Sequence, residues 1–147
     1  MLYQEIKFMK LTLIALLVLV GCSMTQGKYK KKFHVEDFQT TMDPAAAHAL
    51  LAHKMKDCYP QSAYPVYEKT LSHFDVTQQV GTISYEIDNQ SLGPQTLVLV
   101  EVVKSPTGSV VQVYAKGDLF RRASVYQHQI QKWLDGKKVD CDSRGQI

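Results

Sequence analysis

The sequence lacks most of the features that announce a function. No stretch is apolar over the roughly 20 residues that a membrane-spanning helix requires. Leu11 to Val20 is apolar except for Thr12, and it is too short. A strong excess of one charge is missing too. The formal net charge of +3 is too small to argue for nucleic acid as a partner. No G-x-S-x-G, H-E-x-x-H, phosphate-loop or EF-hand pattern occurs. The chain therefore offers no motif for a serine hydrolase, a zinc protease, a nucleotide enzyme or a calcium sensor. No cofactor, no metal and no catalytic residue is expected. Internal repeats are absent, and cysteine is scarce, with three in all.

The scattered titratable residues do not repair this lack. The histidines are His34, His48, His53, His73 and His128. On a helix, His48 and His53 would stand about 140° apart, not on one face as a zinc pair would. Each histidine reads as a surface residue. Glu86 and Asp88 share a strand face with Thr82 and Ser84. A solvated polar face explains them without catalysis.

The N-terminus is where the sequence becomes informative. Lys7 and Lys10 supply a positive flank, and Leu11 to Val20 has the length of a secretory h-region. Leu19-Val20-Gly21-Cys22 follows at once. This leader resembles the signal peptide and lipobox of bacterial lipoproteins, with Met1 or Met9 as its start. The resemblance implies cleavage before Cys22 and acylation of its thiol. Two or three acyl chains would then anchor the protein for good, since each buried methylene contributes about 0.8 kcal/mol. Ser23, in place of Asp, implies the outer membrane over the inner one. The domain would face the periplasm.

Acylation of Cys22 leaves Cys58 and Cys141 as the remaining thiols. In an oxidising compartment a disulfide is the default, with two free buried thiols as the alternative. Two distant cysteines do not make a zinc site.

Three segments follow. Residues 1–21 read as the signal peptide and 22–42 as a lipidated N-terminus with a basic tether. Residues 43–147 read as one domain of a size that holds a modest core. In the tether, Lys28, Lys30, Lys31 and Lys32 surround Tyr29 and precede Phe33. They suit either contact with acidic head groups or the cell wall, or a solvated linker.

Within the domain, Asp43-Pro44 starts a helix, and Ala47, Leu51, Met55 and Cys58 make its apolar stripe. Strands are expected at Tyr64–Val76, Thr82–Asp88, Thr96–Lys104 and Ser109–Lys116. Pro65 places the first of these at an edge. A second helix opens at Gly117-Asp118 and ends near Gly136. The expected fold class is α+β: helix, four-stranded antiparallel sheet, helix, with both helices on one face. This order is loosely similar to the helix-grip topology of some outer-membrane assembly lipoproteins. The chain also resembles small Gram-negative envelope lipoproteins in general.

The central strand carries the functional expectation. Val98, Val100 and Val102 form one of its faces, and Leu97, Leu99, Glu101 and Val103 the other. Both are apolar, so the face turned from the helices is a candidate docking surface for an envelope partner or a second copy. The first reading is thus a lipid-anchored, non-catalytic accessory domain. The alternative is a binder of a small apolar or lipidic ligand, with Tyr85, Tyr114, Tyr126 and Trp133 lining a cleft between sheet and helices.

Overall fold

A computed structural model describes residues 26–59, 67–89, 93–117, 122–139 and 141. The leader and Cys22 lie outside the described residues, as do Tyr64, Pro65 and Asp118. The chain divides into two compact units, Met1–Lys31 and Lys32–Ile147. Of the first, the described part is helical: it holds most of α1 (Gln26–Phe33). The second contains everything that follows.

Its order is β1 (His34–Thr40), α2 (Pro44–Cys58), β2 (Tyr67–Asp75), β3 (Val80–Asn89), β4 (Gly93–Ser105), β5 (Gly108–Ala115) and α3 (Ala123–Leu134). The strands form one antiparallel sheet in the order β1-β5-β4-β3-β2. This corrects the expected four-stranded sheet with two helices. The fifth strand is β1, which pairs with β5 from His34↔Tyr114 to Thr40↔Ser109. Apart from Val35 and Phe38 its residues are polar, as suits an edge strand, and Phe38 alone in the strand is buried. The third helix is α1, an eight-residue element without an acidic residue in its first turn.

Local chemistry explains the helix ends. The Asp43 carboxylate accepts from the Ala45 and Ala46 backbone N–H groups, at 3.1 Å each, and Pro44 occupies the first turn. These contacts satisfy donors that the helix cannot use itself. At the far end of α3, Gly136 takes a φ of +70° and lets Lys137 N–H reach the Lys132 carbonyl at 2.9 Å.

α2 packs over β3, β2 and β4, α3 packs over β5 and β1, and the two helices touch. Their shared core holds Ala47, Leu51 and Met55 from α2, and Tyr126, Ile130 and Trp133 from α3. The sheet contributes Ile83, Val98, Val100, Val102, Val111 and Val113, all fully buried. Cross-strand register puts these on one face: Ile83↔Val100↔Val113 and Val102↔Val111 are paired directly. Burying such side chains contributes roughly 1.5–3 kcal/mol each against exposure.

Gly81 sets how closely α2 approaches β3. A Cβ there would stand 2.5 Å from the His48 imidazole, so any side chain would push the helix away. Cys58, the last residue of α2, is bonded to Cys141 with a Cα–Cα distance of 4.9 Å. That bond ties the end of α2 to the segment beyond α3.

Candidate functional site

The sheet has a second face, turned from the helices, and register assigns its residues. Leu99 pairs with Ser84 and Tyr114, Glu101 with Thr82 and Gln112, and Val103 with Val80 and Val110. The neighbours of β4 thus supply mostly polar side chains to this face. On β1, His34 and Asp37 pair with Tyr114 and Gln112. On β2, Leu71 and His73 pair with Ser84 and Thr82.

The candidate docking residues of β4 do not stay together. The ladder shifts between Tyr85 and Glu86, where Tyr85 pairs with Val98 and Glu86 with Thr96. Leu97 is the extra residue of this β-bulge. It is 2 % exposed and belongs to the buried cluster of Val98 and the helices. Leu99 stays outside that cluster and is also buried, at 4 %. Glu101 and Val103 are half-buried. β4 therefore presents no continuous exposed apolar strip.

Exposed apolar area lies elsewhere. Tyr67, Leu71 and Val76 are the large hydrophobics most exposed among the described residues. All three belong to β2 or the turn after it. Tyr67 and Leu71 share the second face, on a strand hydrogen-bonded to β3 along one side. Pro65 already pointed to an edge position. The spacing Tyr67-x-Lys69-x-Leu71 was the signal for an exposed mixed face.

A polar cluster sits at the opposite edge. His34 Nε2 lies 2.9 Å from Asp37 Oδ1, and the His34 ring meets Tyr114 edge-on at 5.5 Å. Tyr114 donates a hydrogen bond to Glu101. Burial first, then the negative charges of Glu101 and Asp37, hold its hydroxyl above the ordinary value of 10.0. A phenol held protonated this firmly is a poor base or nucleophile at neutral pH. Near β2, Glu86 is paired with Lys69 at 3.3 Å and accepts from Ser84 at 3.1 Å. These contacts occupy the carboxylate with structural partners. Among the described residues, no group of three His, Cys, Asp or Glu is placed to hold a metal ion, and no helix is long and apolar enough to cross a membrane.

The four aromatic residues expected around a ligand do not line one cleft. Tyr85, Tyr126 and Trp133 are packed in the helix-side core. Tyr59 stacks on Tyr85 at 4.7 Å, meets Tyr126 edge-on at 5.8 Å, and donates its hydroxyl proton to Gln129. Tyr114 pairs with Leu99 on the second face.

Comparison with protein-family models, with curated proteins and with solved structures finds no match.

The basic residues of the N-terminal segment are helical, which the tether reading did not foresee. Lys28, Lys31 and Lys32 are exposed and Lys30 is half-buried. His48 also departs from its surface reading. It is buried between Gly81 and the Phe74 ring, with Nε2 3.3 Å from the Thr82 carbonyl.

Burial holds the His48 pKa below the ordinary 6.5, against the opposing pull of the Thr82 hydrogen bond. A lowered folded pKa means that the unfolded chain binds the proton more readily. His48 thus contributes stability above pH 6.5 that is lost as pH falls through its folded value. Urea midpoints at about pH 7.5 and pH 5 should show wild type weakening on acidification more than His48→Gln. Equal losses in the two proteins would refute the assignment.

Proposed function

We propose that this chain is a lipid-anchored accessory domain of the bacterial cell envelope. It is cut before Cys22, acylated there, and held to the outer membrane with its α+β domain in the periplasm. It acts by contact with another envelope component or a second copy, not by catalysis. The observation that carries this reading is the order Lys7, Lys10, apolar Leu11–Val20, then Gly21-Cys22. The Cys58–Cys141 bond supports it, because such bonds persist in oxidising compartments.

The contact role rests on the exposed Tyr67 and Leu71 of the β2 edge. Edge strands offer unpaired backbone groups to a partner. On the second face, Glu86 is held by Lys69 and Ser84, His34 by Asp37, and Glu101 by Tyr114, and these pairings favour contact over chemistry.

Fractionation of the native envelope tests the anchor. Wild-type protein should remain in the outer-membrane fraction after a high-salt wash. Cys22→Ala should lose acylation and that outer-membrane position. Identical distribution of the two proteins would sink the reading.

A further inference from the structure

We infer that α1 carries a docking face for an anionic lipid surface, made by Lys28, Lys31 and Lys32. The inference rests on the proposed anchoring at Cys22 and says what the segment beside the anchor does. At about 100° per residue, these three lysines fall within about 100° of one another around the helix. All three are exposed; the buried Tyr29, the half-buried Phe33 and the half-buried Lys30 take the remaining arc, and the Lys32 ammonium lies 5.3 Å from the Phe33 ring centre. The exposed cations are therefore gathered on one face, while Lys30, on the opposite side, is half-buried.

Two further observations point to a membrane as its occupant. First, α1 begins within roughly 14 Å of extended chain from Cys22. An acylated Cys22 would hold the lysines beside the head groups of the same bilayer. Second, α1 is a poor helix on its own terms. It has eight residues and no acidic residue in its sequence QGKYKKKF. Lys28 faces Lys31 and Lys32 at i, i+3 and i, i+4, where like charges oppose helix formation. Helices this short are marginal in water. An anionic surface removes the repulsion and supplies the missing counter-charge. Each lysine near such a surface favours association by about five-fold, so three act on the order of a hundredfold.

Lysine footprinting on the full chain, purified from its envelope, tests this. The protein is placed on vesicles of phosphatidylcholine alone, or of phosphatidylcholine with about 30 % phosphatidylglycerol. A water-soluble amine-reactive ester then labels it, and mass spectrometry reads each lysine. Lys28, Lys31 and Lys32 should react at least about five-fold more slowly on the anionic vesicles. That protection should vanish at about 1 M salt, where the screening length falls to about 3 Å. Lys56, Lys104 and Lys138 should react alike on both surfaces. Equal labelling of the three α1 lysines on both vesicles would overturn the inference.

The same digest separates this inference from the anchor. Acyl chains on Cys22 without protection would keep the anchor and remove the docking face. Protection without acyl chains would do the reverse.

Discussion

Reduction of the Cys58–Cys141 bond should lower the thermal midpoint by on the order of 10–20 °C. The bond closes a loop of sequence separation 83. Releasing a loop of that length returns about 4–5 kcal/mol of chain entropy to the unfolded state. Domains of this size are stable by about 5–15 kcal/mol in total, so the bond is a large share of the margin. Location adds to the effect. Cys58 ends α2, and Cys141 packs against the core beyond α3. Val139 packs against the same core, so the bond joins two parts of one packed cluster. Circular dichroism melts with and without reductant would show the drop. The Cys58→Ser/Cys141→Ser protein should melt at the reduced wild-type midpoint and ignore the reductant. An unchanged wild-type midpoint on full reduction would refute the claim.

The second large effect is expected at Gly108. Its φ is +143°, a backbone conformation that residues with side chains rarely adopt. A Cβ there would also stand 2.2 Å from the Thr40 carbonyl oxygen and 2.8 Å from Thr41 Cα. Both are backbone atoms, so no side-chain rotation relieves the clash. Gly108→Ala should therefore cost about 3 kcal/mol or more, as strain and overpacking together. The damage should begin where Thr40 pairs with Ser109, at the end of β1. Amide exchange at Gln39 and Thr40 should accelerate before that of β3 and β4. Gly27→Ala is the control, since a Cβ there meets nothing within 4 Å. A midpoint for Gly108→Ala equal to that of wild type would contradict the argument.

How much of this was legible in the sequence depends on whether the signal was local. The Asp43 cap, Pro44 and the Ala47-Leu51-Met55 stripe mark α2, and it runs from Pro44 to Cys58. The alternation of Ile83 and Tyr85 with Thr82 and Ser84 marks β3 for the same reason. β1 had no such signal. A single buried residue, Phe38, cannot set a period, and the partner strand lies some seventy residues away at Phe38↔Val111.

The docking strip failed for a different physical reason. Leu97 and Leu99 have the same parity in the sequence, and the bulge opposite Tyr85/Glu86 breaks that parity between them. One unpaired residue moved Leu97 into the helix-side core. His48 departs from a surface position because its burial depends on Gly81, a residue of strand β3 far from it in sequence. Pro65 marked the edge position of β2, and the exposure of Tyr67 and Leu71 on it follows from the side of the sheet they take, which the pairing with Asp88 and Ser84 sets. Cys22 and its leader stand on the sequence pattern alone.

Acylation at Cys22 is read from the mature N-terminal peptide. Protein is isolated from its native envelope, digested, and the N-terminal peptide is weighed and sequenced by mass spectrometry. The peptide should begin at Cys22 and carry two or three acyl chains. A chain that begins elsewhere, or one that begins at Cys22 with an unmodified thiol, would contradict the proposed anchor.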